Sequence, residues 1–268
     1  MKKIIILLLF SFFIITRCNI HVDADKGVFL AAYAGTYITL YDASGNKIKT
    51  IFTGININGF DFSPDGTRII IAEGATTSIK IISITGKLIK NIPNTTGMEF
   101  PAWSPNGNCF ACDFGGNGIY IFDFDGNIIK QITNPANLRK PNWHPSGQYI
   151  IASEGSLAYQ ISVADINNYY AISTTGSDLY PSYSPDGKSI VYCYNSSINT
   201  ITVDGSNEKT NIHTADPGSC YFSRDGNYIY FIFINMMTEI WKCDIDGNSP
   251  TRFAYDPVNN FSYFRLKP

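Results

Sequence analysis

Hydrophobic and polar positions along this chain recur with a period near 40 residues. Five segments share one pattern, an aromatic-rich stretch running into a Pro/Asp/Gly turn: Phe60-Asp-Phe-Ser-Pro-Asp-Gly66, Pro101-Ala-Trp-Ser-Pro-Asn-Gly107, Pro141-Asn-Trp-His-Pro-Ser-Gly147, Pro181-Ser-Tyr-Ser-Pro-Asp-Gly187 and Cys220-Tyr-Phe-Ser-Arg-Asp-Gly226. Their terminal glycines are 41, 40, 40 and 39 residues apart. Stepping back 39 from Gly66 reaches Gly27, and stepping forward 41 from Arg224 reaches Arg265, preceded by Phe261-Ser-Tyr-Phe264. A period of this length marks a repeat architecture.

Each unit reads as four strands. The aromatic strand ends at the turn, where Pro and Gly supply the fixed φ and the left-handed position. An apolar second strand follows, such as Arg68-Ile-Ile-Ile-Ala72 or Ser189-Ile-Val-Tyr-Cys193. The third alternates, as in Ile119-Tyr-Ile-Phe-Asp123. A second Gly turn comes 18–21 residues after the first in five units, at Gly45, Gly86, Gly126, Gly205 and Gly247, with Asn167-Asn168 in its place in the sixth. Asp-Gly and Asn-Gly between alternating runs signal hairpins. A fourth strand such as Asn127-Ile-Ile-Lys-Gln-Ile132 completes the unit. No segment after the first two dozen residues carries a sustained helical period.

Repeated four-stranded antiparallel units predict an all-β protein, a six-bladed β-propeller. Its closure is also predicted. The first unit, about Val28 to Phe52, has second, third and fourth strands but no aromatic first strand, while Phe261 to Leu266 is a first strand with no blade after it. Pairing the two makes the sixth blade from both chain ends and removes two sheet edges.

Composition agrees and excludes other classes. Of 268 residues, 44% are hydrophobic and 16% charged, too apolar for a disordered chain and too uncharged for a coiled coil. Twenty basic and 22 acidic side chains leave a net charge of −2, which excludes nucleic-acid binding through a broad basic surface.

The N-terminus reads as an export signal over residues 1–18. Lys2 and Lys3 precede an apolar run from Ile4 to Ile15 broken only by Ser11, too short for a span of ~20 residues. Ile15-Thr16-Arg17-Cys18 is similar to a bacterial lipoprotein signal, in which Cys18 would be acylated; Arg17 stands where that pattern has a small residue. Val22-Asp23-Ala24 offers a competing cleavage site that would release a soluble protein, and an uncleaved anchor is the third outcome. Residues 19–24 are a short tether and 25–268 the propeller.

The chemistry-bearing residues are few. Cys109-Phe-Ala-Cys112 is formally C-x-x-C, but on a strand residues three apart face opposite sides, so both read as structural cysteines. With Cys193, Cys220 and Cys243 they resemble no disulfide framework. His21, His144 and His213 occupy unrelated places in the repeat, and no G-x-S-x-G elbow is present. Asp123-x-Asp-Gly-Asn127 and Asp244-x-Asp-Gly-Asn248 look like the start of calcium loops but lack a closing carboxylate, and a hairpin turn accounts for them. Glu73, Asp113 and Glu154 end the second strands of three consecutive units. They could bind a cation or a basic segment of a partner, or simply be solvated strand ends. Asn235-Met-Met-Thr238 puts Met236 in the corresponding loop of a later unit, suited either to adaptable protein contacts or to burial between blades.

Trp103-Ser-Pro-Asn-Gly107, Ser184-Pro-Asp-Gly187 and Ile119-Tyr-Ile-Phe-Asp-Phe-Asp-Gly126 with Ile128-Ile-Lys-Gln-Ile-Thr133 resemble the WD40-like repeat of the TolB propeller family. That resemblance implies a six-bladed propeller of the bacterial periplasm that binds proteins, including an outer-membrane lipoprotein, without catalysing a reaction. Full TolB carries an α/β domain before its propeller, whereas here the repeats begin within about seven residues of Cys18, so the resemblance covers the propeller alone.

The expected function is therefore a non-catalytic protein- or peptide-binding module of the cell envelope, without cofactor or nucleic acid. It would be periplasmic, secreted or held to a membrane through lipid on Cys18. Its candidate rim includes Glu73, Asp113, Glu154 and Met236. The alternative is a lactonase-type propeller hydrolase with a metal in the central channel. That chemistry needs Asp, Glu and Asn converging from several first strands, where Asp61 and Asn142 are the polar exceptions.

Overall fold

The computed structural model describes residues 27–268 except 35, 75–76, 134–136, 156, 174–179, 195, 215, 235–237 and 259. Six four-stranded antiparallel sheets make up the fold. The chain enters with β1 (Leu30–Ala34), β2 (Tyr37–Tyr41) and β3 (Lys47–Thr53). The next blade is β4 (Ile57–Phe62), β5 (Arg68–Glu73), β6 (Lys80–Ser83) and β7 (Leu88–Asn91). It is followed by β8 (Glu99–Trp103), β9 (Phe110–Asp113), β10 (Ile119–Phe122) and β11 (Ile128–Ile132). Then come β12 (Arg139–Trp143), β13 (Tyr149–Glu154), β14 (Leu157–Ser162) and β15 (Tyr169–Ser173). The fifth set is β16 (Ser182–Tyr183), β17 (Ser189–Tyr194), β18 (Ser197–Thr202) and β19 (Lys209–Thr214). The last is β20 (Asp216–Phe222), β21 (Tyr228–Ile234), β22 (Thr238–Asp244) and β23 (Thr251–Ala254), after which β24 (Phe261–Leu266) ends the chain.

Closure follows the expected route. β24 pairs antiparallel with β1, giving the sheet order β24-β1-β2-β3. The register differs from the simple 41-residue step. Arg265 lies opposite Ala31, as Asp61 lies opposite Ile70, so Arg265 occupies the place of Asp61 rather than that of Arg224. The last unit is longer than the others: Tyr221, opposite Tyr230, holds the same place in its blade, and 44 residues separate it from Arg265 where the preceding units run 39–41.

Second strands are continuously apolar because both of their faces are covered. Ile69 and Ile71 pack toward the closing blade, while Ile70 and Ala72 pack toward the β8–β11 blade with Trp103, Phe110 and Phe122. Each blade interface is such a core, repeated around the ring.

The Ser-Pro-Asp-Gly turns share one bonding scheme. Ser63, Ser184 and Ser223 each donate from Oγ to the Asp two residues on, at 2.6 Å. His144, in the Ser slot of its turn, reproduces this with Nδ1 at 2.8 Å from Ser146 Oγ, while its Nε2 lies 3.1 Å from the Gly187 carbonyl of the next blade. The calcium-like loops are hairpin turns. Asp123 Oδ1 accepts the amides of Asp125 and Asn127, and Asp244 Oδ1 those of Asp246 and Asn248. These amides hold both carboxyls below the usual Asp range, with the Asn127 side chain the foremost contributor at Asp123 and the Asn248 amide at Asp244.

Candidate functional site

The six first strands surround the axis: β4 touches β8, then β12, β16, β20 and β24 follow in turn, and β24 returns to β4. Five of them carry a bulge near the start of the strand or in the pairing there, between Ile57 and Phe60, Glu99 and Ala102, Arg139 and Asn142, and Pro217 and Cys220, and where β24 meets Tyr33 and Ala34 of β1. Bulges re-aim side chains, and here they do so at one end of the channel. Phe100 and Lys140, each just before a proline, adopt left-handed φ of 46° and 55°. Gly59 holds the equivalent place with φ 128°, and a Cβ there would lie 2.9 Å from Phe100 Cα. Left-handed backbone at a non-glycine residue costs roughly 1–2 kcal/mol, and it is found here at two adjacent blades.

The result is an aromatic mouth. The Phe100 ring lies 6.4 Å from that of Tyr180 and 6.3 Å from that of Tyr263, contacts between non-adjacent blades that meet only across the axis. Lys140 Nζ sits 3.5 Å from the Tyr180 ring centroid and 5.8 Å from that of Phe100. Beneath them Arg265 lies over Tyr221 at 4.5 Å and Tyr263 at 5.2 Å. Its Nε is 3.5 Å from Asp61 Oδ1. The cavity these residues enclose is only ≈ 10 Å³, about one water's worth of space.

Half-buried polar groups at this level reach the next blade. Asp61 Oδ2 accepts the Trp103 amide at 2.9 Å, and Asn142 Oδ1 accepts the Tyr183 amide at 3.2 Å. Burial pushes the Asp61 carboxyl up, while Arg265 and the Trp103 and Phe62 amides pull it down. Burial also works against the charge on Arg265. Tyr221, Tyr263 and Asp61 outweigh it and hold its pKa above the ordinary arginine value.

An ionic band borders the mouth. Glu99 accepts from Asn58 Nδ2 at 3.0 Å and pairs with Arg139 at 2.7 Å. Asp113 Oδ2 accepts the Lys140 amide at 2.8 Å, and Arg139 Nε stands 3.9 Å from its other oxygen. That oxygen, Asp113 Oδ1, is buried with no hydrogen-bond partner. Burial raises the Asp113 carboxyl to about 6, against the Lys140 amide and Arg139.

The TolB beta propeller domain profile matches residues 35–216, more than half of the chain. The chain belongs to the TolB β-propeller domain family. Among solved structures, TolB from Acinetobacter baumannii superposes with a TM-score of 0.75 at 18% identity, over 91% of this chain and 67% of that one. A candidate TolB from Agrobacterium tumefaciens gives 0.69 at 16% identity, over 90% and 99% of the two chains. A chain from a nidogen/laminin complex gives 0.74 at 12% identity, over 90% and 99%. At these identities the structural likeness concerns the fold. A search of curated protein sequences gave no match.

In this TolB-family propeller the expected rim residues do not form one set. Glu73 and Glu154 stand seven residues after their turn glycines, but Asp113 stands six after Gly107, with Ala72 and Ser153 its equivalents. Strand alternation turns it to the opposite face, where all three positions are buried. Glu73 pairs with Lys80 and accepts the Ile55 amide at 2.9 Å. Glu154 is half-buried at the end of β13. Met236 and Cys18 lie outside the described residues. Among the described residues no group of three or more His, Cys, Asp or Glu could hold a metal.

The mouth is only partly legible in the sequence. Asp61 and Asn142 stand out as polar residues in aromatic strands. Lys140, Phe100 and Tyr180 do not, because a residue before proline defaults to extended backbone and gives no sign of a bulge.

Proposed function

We propose that this TolB-family propeller is exported and works in the bacterial cell envelope as a non-catalytic module, binding a protein or peptide segment across the axial mouth. The observation that carries this reading is the closing of the axial mouth. Phe100, Tyr180 and Tyr263 meet over a cavity of ≈ 10 Å³, which leaves a surface for docking rather than a chamber for a substrate. Aromatic rings around a lysine suit a partner segment that brings an apolar side chain and a carboxylate. The hydrolase alternative needs converging oxygen donors, whereas the Asp61 carboxylate on the axis is paired with Arg265.

Export rests on the Lys2/Lys3 and Ile4–Ile15 pattern and on the family's periplasmic setting. Lipid on Cys18 or a mature start at Asp25 are exclusive outcomes of mass spectrometry on the native N-terminus.

The binding test is affinity capture from envelope extract with wild type, Lys140→Glu and, as a control on the opposite face, Tyr228→Ala. A specific partner held by wild type and the control but lost by Lys140→Glu supports the reading. Recovering no specific partner, or one indifferent to Lys140, rejects it.

A further inference from the structure

Cys193 and Cys220 lie on β17 and β20 of neighbouring blades, and their sulfurs are 3.0 Å apart. Both are buried, at 4% and 0% exposure, in the core between those blades with Val191, Ile198 and Phe231. The separation is too short for two sulfurs merely in contact and needs a closing movement of about 1 Å to reach the ~2.05 Å of a disulfide.

The position has a precedent within the same molecule. Cys193 stands six residues after Gly187, the slot held by Asp113 in the β8–β11 blade. Asp113 reaches out of that slot to the first strand of the following blade, accepting the Lys140 amide. Cys193 does the same toward Cys220, which replaces the proline of Pro101, Pro141 and Pro181. The slot thus fastens one blade to the next, ionically in one case and through sulfur in the other. Sequence spacing alone shows no disulfide framework here, because the two cysteines belong to different units and meet only when the blades pack.

We propose that Cys193 and Cys220 form an inter-blade disulfide when the protein folds in an oxidising compartment. The oxidant is a disulfide, either small-molecule or carried by an oxidoreductase. One cysteine thiolate attacks it, forming a mixed disulfide and releasing one thiol. The second cysteine displaces the other half, so two protein thiols are oxidised and one disulfide is reduced to two thiols. Burial pushes the Cys220 thiol well up, so the bond forms during folding, before the blades close over it. Where it forms in the cell rests on the export reading; the pairing does not.

The test is oxidative refolding of the full chain with oxidised and reduced glutathione, then peptide mapping without reductant. The expected product is one linked peptide pair containing Cys193 and Cys220, with two fewer thiols titrating in denaturant than in the reduced protein. Cys243→Ser keeps the link and Cys193→Ser loses it. The oxidised protein melts roughly 5–10 °C higher than the reduced one. A full complement of free thiols after oxidative refolding, or a link from Cys220 to Cys243, overturns the proposal. A link on refolding that is missing from protein isolated from whole cells upholds the pair and counts against export alone.

Discussion

Arg265 and Asp61, brought from opposite ends of the chain, face each other at 3.5 Å beneath the axial mouth. The contact spans the seam where β24 meets β4, so it locks the ring at the point where the chain closes it. Replacing Arg265 with Met leaves Asp61 short of its counter-charge. The expected cost is about 3 kcal/mol at pH 7, the low end for breaking a buried pair because Asp61 keeps some exposure. Asp61→Asn costs less, since an amide oxygen still accepts the Trp103 amide. Burial raises the Asp61 carboxyl, so protonation favours the folded state and the Arg265→Met penalty shrinks as pH falls. Urea unfolding at pH 7 and pH 4.5 reads both effects.

Asp113 gives a second pH dependence of known sign. Its carboxyl is raised from 3.8 to about 6, so the folded protein binds this proton more tightly than the unfolded chain. Its contribution is complete below about pH 4 and is lost as pH rises through 6. Asp113→Asn removes that dependence and keeps an acceptor for the Lys140 amide. The stability of wild type relative to Asp113→Asn therefore declines between pH 4 and 6 and is flat above. Thermal melts across pH 3.5–8 check it, and a constant difference would contradict the assignment.

Two turn glycines separate backbone strain from crowding. Gly147 has φ 73° and open space where a methyl group would go, whereas Gly247 has φ 84° and a Cβ there would lie 1.8 Å from the Ile212 carbonyl oxygen. Gly147→Ala is expected to cost roughly 1–2 kcal/mol from the left-handed conformation alone. Gly247→Ala must cost more, because backbone of the neighbouring blade has to move. Chemical denaturation of the two variants reads the difference.

Lys140 holds strained backbone for the sake of where its side chain goes. Glycine at 140 relieves roughly 1 kcal/mol of left-handed strain and loses a cation–π contact of similar size, so stability changes by less than about 1 kcal/mol. Partner affinity falls at least about tenfold in the same variant if the mouth binds as proposed, which is about 1.4 kcal/mol of binding. Denaturant midpoints and titration calorimetry with the captured partner measure the two sides.

The repeat was legible because turn chemistry and strand patterning agree in every unit. Ser63-Pro-Asp-Gly66 announces its turn, and Ile69-Ile-Ile-Ala72 announces a strand covered on both faces. The closing pairing was legible for the complementary reason: one end lacks a first strand and the other supplies it. Three features escaped. Arg265 departs from a 41-residue step because the last unit is 44 residues long, from Tyr221 to Arg265. Asp113 ends its second strand as Glu73 and Glu154 do, yet it stands six rather than seven residues after the turn glycine and so on the other face. Phe100 and Lys140 adopt a backbone that their prolines disfavour locally, and only packing between blades imposes it.

The central claim, that a partner segment docks across the axial mouth, is tested most directly by site-specific photo-crosslinking in cells. A photoreactive phenylalanine derivative replaces Tyr180 in one strain and Tyr228, exposed at the other end of the blades, in a second. The account predicts a discrete crosslinked protein from position 180 that disappears when Lys140 is also changed to Glu, and no such product from position 228. Crosslinks from position 228 alone, or a product from position 180 that persists in the Lys140→Glu background, would contradict it.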